Sequence, residues 1–202
     1  MTMTRRTCGF TISELMVTGA LLLILAASFL TSFLVSQRSF FSAETYVQVQ
    51  QEARKAFDNM VRELREGIAS SVSTTGSQLD FKIAIGYDLD QTVAGCPDAQ
   101  LCAGAYDNNG NRQYNWMIRY RVNGATRQLI REVFNAAGQL QGTRVLANDV
   151  VSGTTSFAWN AGMRTVSLTL QIQYLNNRLP TGAQTIGTAL NPLKSQVQLR
   201  NA

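Results

Sequence analysis

The sequence predicts an α+β fold: one long N-terminal helix packed on an antiparallel β-sheet domain. Three observations carry this. Residues 10–35 form an apolar run of membrane-spanning length. An amphipathic pattern of helical period follows it without a break, and beyond Ser77 the pattern changes to period two.

The apolar run holds 26 residues, Phe10 to Val35, and its only ionisable side chain is Glu14. About 20 helical residues suffice to cross the hydrocarbon core. A cleaved secretory peptide also has basic residues before an apolar stretch, but its core is usually only about 7–15 residues long. Arg5 and Arg6 precede the run. They favour a cytoplasmic N-terminus and place the remainder on the export side.

Past Val35, Tyr46, Val49, Ala53, Phe57, Met60, Leu64 and Ile68 recur every three or four residues, with Gln50, Glu52, Arg54, Lys55, Asp58, Arg62 and Glu66 on other faces. Residues 36–68 therefore read as an amphipathic continuation of the same helix. No proline or glycine interrupts Ala20 to Glu66, and Gly67 followed by serines supplies an end. A helix of roughly 58 residues would be about 87 Å long.

Residues 69–202 read as a β-rich domain. Leu79, Phe81, Ile83 and Ile85 alternate with Asp80, Lys82 and Ala84; Val166, Leu168, Leu170, Ile172 and Tyr174 alternate with polar residues. A third run, Tyr114, Trp116, Ile118, Tyr120 and Val122, ends at Asn123-Gly124. Weaker strands are expected near 128–134, 143–146, 155–159 and 196–200. Asn-Gly predicts a two-residue hairpin turn, which sets Tyr120 beside Arg127, Ile118 beside Leu129 and Trp116 beside Arg131. Two arginines would then share the aromatic face, either stacked on the rings or displaced by a bulge.

Composition excludes several functions. The formal charge is +5, and without Arg5 and Arg6 there are 16 basic against 13 acidic residues, a weak signal for nucleic acid. Arg119 and Arg121 point away from Trp116 and Tyr120 along the strand, so they do not build a stacking platform with them. There is no histidine base and no glycine-rich phosphate loop, and an enzyme is not expected. No cofactor is implied.

The segment GFTISELMV, Gly9 to Val17, resembles the signal of type IV pilins and type II secretion pseudopilins. In that family glycine precedes the cut, phenylalanine follows it, and glutamate is fifth in the mature chain. The resemblance implies a type IV pilin-like fold and a leader, residues 1–9, removed by a prepilin peptidase between Gly9 and Phe10, with N-methylation of Phe10. It also implies that Glu14 pairs with the new amine of a neighbouring subunit. An intramembrane carboxylate is costly without a partner; its local alternative is stabilisation by the first helical turn. Many major pilins carry a proline within the apolar segment, where this chain has Thr31.

The stretch QRSFFSAETYVQVQQEARKAFDNMVRELREG is loosely similar to PilW-like minor pilins. Such a protein would help initiate assembly of a type IV pilus and enter it, in a priming or tip complex. Expected partners are other minor and major pilins, the inner-membrane assembly platform and a large adhesin-like tip protein. It would be a single-pass inner-membrane protein with a periplasmic domain, moving to the surface pilus on assembly. A J-type pseudopilin, a DNA-uptake pilin and a major pilin are the alternatives.

Loss of the leader removes Cys8 and leaves Cys96 and Cys102 on the export side, where a disulfide is expected. Two thiols and no histidine are too few for a structural zinc site. Asp107 and Asn109, in Asp107-Asn108-Asn109-Gly110-Asn111, have the alternating oxygens of a calcium loop but lack the EF-hand spacing and closing glutamate. Such clusters usually mark turns.

Overall fold

The computed structural model describes residues 11–87, 95–96, 101–175, 183–186 and 193–200. Helix α1 runs unbroken over Ile12–Arg65, 54 residues and about 81 Å. Thr31 sits inside it with its hydroxyl donating to the Ser28 carbonyl, 2.9 Å, so nothing interrupts the helix where proline could. The N-terminal half is exposed throughout. Only the C-terminal half is covered: Val49, Ala53, Ala56, Met60 and Leu64 are buried.

That buried stripe differs from the expected one at two places. Ala56 joins it, while Tyr46 is exposed and Phe57 only half-buried. Two fully buried alanines, Ala53 and Ala56, leave no side chain to hold the sheet away from the helix backbone.

The helix ends at Arg65 with Glu66 as its cap, directly before the expected terminator Gly67, and residues 66–68 pass to strand-like pairing. The Glu66 and Gly67 amides still donate to the Glu63 and Leu64 carbonyls, but the Glu66 carbonyl accepts from Ala84 N–H, and Ile68 N–H donates to the Lys82 carbonyl. Gly67 does not end the helix by a left-handed turn, since its φ is not positive. It is needed for close approach: a Cβ there would stand 2.8 Å from the Leu64 carbonyl oxygen and 3.3 Å from the Leu199 side chain.

A 3-10 turn at Ala69–Ser71 leads into the β domain. One five-stranded antiparallel sheet contains β1 (Ser73–Thr74), β2 (Gln78–Phe81), β6 (Met117–Asn123), β7 (Gln128–Phe134) and β8 (Leu140–Ala147), in the order β1-β2-β6-β7-β8. A second joins β3 (Ile83–Tyr87), β4 (Leu101–Tyr106) and β5 (Arg112–Tyr114), in that order. A third has the order β13-β10-β9, from β9 (Ser156–Asn160), β10 (Thr165–Leu170) and β13 (Leu193–Gln198). Strands β11 (Ile172–Leu175) and β12 (Ala183–Ile186) pair separately.

Two runs expected as single strands are each divided between sheets. At Lys82 the chain leaves β2 and enters β3; at Gln171 it leaves β10 and enters β11. Each switch is held by a hydroxyl: Lys82 N–H donates to Ser71 Oγ at 2.9 Å, and Gln171 N–H to Thr155 Oγ1 at 3.2 Å. Alternation survives the switch, so Leu79, Phe81, Ile83 and Ile85 all enter the core, as do Val166, Leu168, Leu170 and Ile172.

The third run is also interrupted. Asn115, with φ of 62°, separates Tyr114 in β5 from Met117 at the start of β6. The hairpin register departs from the two-residue turn as well. Asn123 pairs with Gln128, so the loop has four residues, 124–127, and Tyr120 stands opposite Arg131, Ile118 opposite Val133 and Met117 opposite Phe134. The longer loop forms because Asn123 Oδ1 accepts from the Ala125 and Thr126 amides, 3.1 and 3.4 Å, while Arg127 adopts φ of 53°.

Candidate functional site

The N-terminal residues of α1 form a local cap. Thr11 Oγ1 accepts from Glu14 N–H at 3.3 Å, and the Glu14 carboxylate accepts from Thr11 N–H at 3.0 Å. This reciprocal pair satisfies two donors that a helix start would otherwise leave open. Glu14 thus has a partner inside its own chain. Gly9 and Phe10 lie outside the described residues, as does Cys8. From Thr11 to Phe40 every residue is exposed, including Leu23 at 73% and Phe29 at 75%. Such a surface requires an apolar environment. By length and composition the helix can cross a membrane.

What connects this helix to the β domain is a polar clasp beneath its last two turns. Arg131 on β7 lies with its Nε 3.0 and 2.9 Å from the two Glu63 carboxylate oxygens, and the Tyr120 hydroxyl donates to Glu63 Oε2 at 2.5 Å. Tyr120 is fully buried, its ring 5.6 Å from that of Phe81. Burial, and next the charge of Glu63, push the Tyr120 hydroxyl well above the ordinary tyrosine range. The hydroxyl therefore stays a proton donor to Glu63.

A second contact holds the helix nearer its apolar half. Glu52 Oε1 accepts from the backbone and side-chain amides of Asn148, at 2.7 and 2.9 Å. Glu52 and Glu63 stand eleven residues apart, about 16 Å along α1. With the strand-like pairing of Gly67 to Ile83, the helix is fixed to the domain at three heights. The helical period marked Glu52 as a solvent-facing residue and did not single out Glu63. The shared aromatic and arginine face was visible, but the two-residue turn assigned Arg131 to Trp116.

Arg119 and Arg121 are occupied on the far face of the sheet. Arg119 makes a bidentate pair with Asp80, 2.8 and 3.0 Å, and lies 4.5 Å from the Phe134 ring centre. Arg121 reaches the buried Glu132 at 2.7 Å. Cys96 and Cys102 form a disulfide with Cα atoms 5.7 Å apart.

Asp107 closes its own loop. Its carboxylate accepts from the backbone amides of Asn109 and Asn111, the Asn111 side chain and the Gln113 side chain. The Asn111 backbone hydrogen bond is the main reason its acidity is increased. This is a turn lock, and no cluster of three metal-ligating His, Cys, Asp or Glu side chains occurs among the described residues.

Fold and site together define a class: an α+β chain in which one helix is long and apolar enough to cross a membrane and, over its second half, forms the spine of an antiparallel β domain. No protein-family model, curated protein or solved structure matches the chain.

Proposed function

We propose that this protein is a minor pilin, which helps initiate assembly of a type IV pilus and is incorporated into it. The observation that carries the reading is the continuity of α1: an exposed apolar half, preceded by the Gly9–Phe10 junction and headed by Glu14, runs without a break into the half that bears the sheet. A single-pass anchor needs no such rigidity, because a flexible linker would serve. A subunit that stacks its helix among others needs a rigid spine to transmit axial position to its head.

In this reading the prepilin peptidase cuts between Gly9 and Phe10 and methylates Phe10. Glu14 then exchanges its bond to the Thr11 amide for the amine of a neighbouring subunit. Both are interactions with N–H donors at a helix start, so the exchange leaves no carboxylate unpaired in the membrane. Other pilins, the inner-membrane assembly platform and a tip protein are the corresponding partners. The pairing of Arg119 with Asp80 and of Arg121 with Glu132 weighs against DNA uptake through that face.

The test is deletion of the gene, with complementation by Gly9→Ala and Glu14→Val variants, scoring processing and filament number. The expected result is that Gly9→Ala blocks maturation, while Glu14→Val is processed but enters filaments poorly. Normal filament number in the deletion and in both variants would sink the initiation role.

A further inference from the structure

Four arginines gather around one groove at the end of α1 farthest from the membrane. Arg62 and Arg65 come from its last turn, Arg164 from the turn between β9 and β10, and Arg200 from the residues after β13. The two lobes of the groove, about 480 and 620 Å³, share Val61, Arg65 and Arg200. None of the four guanidinium groups makes an ion pair or side-chain hydrogen bond with a described residue. Arg119, Arg121 and Arg131 are each paired.

The backbone holds two of these arginines together. Leu199 N–H donates to the Arg164 carbonyl at 3.0 Å, fixing Arg164 beside Arg200. Arg164 has φ of 52°, a conformation that glycine or asparagine adopts more cheaply. Arg127 shares that conformation, but its guanidinium is used internally, donating to the Gln173 carbonyl at 2.5 Å. Among the described residues Arg164 has no such internal partner. The helix dipole favours Arg62 and Arg65 near its C-terminus, but offers nothing comparable to Arg164 and Arg200.

The wall of the groove is a strand edge. Residues 195–200 all line it, odd and even positions alike. A contact on one face of a strand would involve only alternate residues. Strand β13 is terminal in its three-stranded sheet among the described residues, with β10 on one side only. An open edge is a template for strand addition.

We propose that this groove binds an extended acidic segment of a partner protein, added as a strand along β13 with its carboxylates on Arg65, Arg164 and Arg200. The site goes beyond the filament reading and does not depend on it. Anionic lipid of the anchoring membrane is out of reach, because Arg65 lies thirty residues, about 45 Å, beyond Val35 along a straight helix. A nucleic acid fits less well, because among the described residues no aromatic ring lines the groove to stack its bases.

The experiment uses the full chain in micelles of a neutral detergent. The probe is a fluorescein-labelled peptide of alternating Glu and Thr, about ten residues long to exceed the length of β13. Fluorescence anisotropy should show binding that weakens as salt rises. Arg164→Glu with Arg200→Glu should weaken it at least about tenfold, and Arg144→Glu on β8, outside the groove, by less than about twofold. All three positions are exposed, and the milder pair Arg164→Gln with Arg200→Gln guards against misfolding. Hydrogen exchange should slow at the amides of 193–198 when peptide binds. The proposal is overturned by absence of binding at low salt, by equal loss in the Arg144→Glu control, by unchanged exchange along β13, or by tighter binding of a DNA oligonucleotide.

Discussion

Arg131 and Glu63 meet across the boundary between sheet and helix, with Arg131 Nε within 3.0 Å of both carboxylate oxygens. Side-chain exposures of 17% and 24% make this a partly buried contact. Replacing Arg131 by Ala leaves Glu63 with Tyr120 as its remaining side-chain partner, at a cost of about 1–3 kcal/mol. Urea unfolding of the β domain within the detergent-solubilised chain measures it. A loss below about 0.5 kcal/mol, the level of an ordinary surface pair, would contradict the clasp.

Tyr120 makes the same contact sensitive to alkali. Its hydroxyl is held above the usual value of 10.0 in the folded state, so the neutral form stabilises the fold fully below about pH 10. Above that, the unfolded chain releases the proton first and stability falls as pH rises toward the folded-state value. Denaturation midpoints between pH 8 and pH 11 should decline more steeply in the wild type than in Tyr120→Phe. Parallel declines would exclude Tyr120 as the titrating group.

Gly67→Ala tests the sharp exit from α1. The added methyl would meet the Leu64 carbonyl oxygen at 2.8 Å, and overpacking of this kind costs about 1–3 kcal/mol. The thermal midpoint of the β domain should fall, whereas Gly76→Ser, in open space but at φ of 57°, should cost about 1 kcal/mol through backbone strain alone. A neutral Gly67→Ala would mean that the helix end can shift without disturbing the sheet.

The disulfide closes a seven-residue loop, 96–102, and the chain-entropy relation gives about 2–2.5 kcal/mol of stabilisation. Reduction, or Cys96→Ser with Cys102→Ser, should lower unfolding free energy by that order. An unchanged value would show that the loop is equally restricted without the bond.

The helix was legible because an apolar run of membrane-spanning length leads without a break into an amphipathic stripe of helical period, Tyr46 to Ile68. Gly67 marked its end, directly after the Glu66 cap, but the glycine serves a close contact with Leu64 and Leu199 and not a left-handed turn. Alternation identified which side chains of residues 79–85 and 166–172 enter the core. It could not reveal the sheet changes at Lys82 and Gln171, because a period of two says nothing of which strand lies alongside. The hairpin shows how much rests on one turn: Asn123 capped a four-residue loop, every pair on β6 and β7 shifted, and Arg131 moved from Trp116 to a position under Glu63. Strands β4 and β5 had no alternating signature, with Gly104 and Ala105 where large apolar residues would have signalled them.

The central claim concerns the first residues of the mature chain, and intact mass spectrometry of the protein extracted from membranes addresses it most directly. The account predicts a chain that begins at Phe10 with one added methyl group, and retention of residues 1–9 when Gly9 is replaced by Ala. A wild-type chain that keeps Arg5 and Arg6, or one cut elsewhere in the apolar segment, would contradict it.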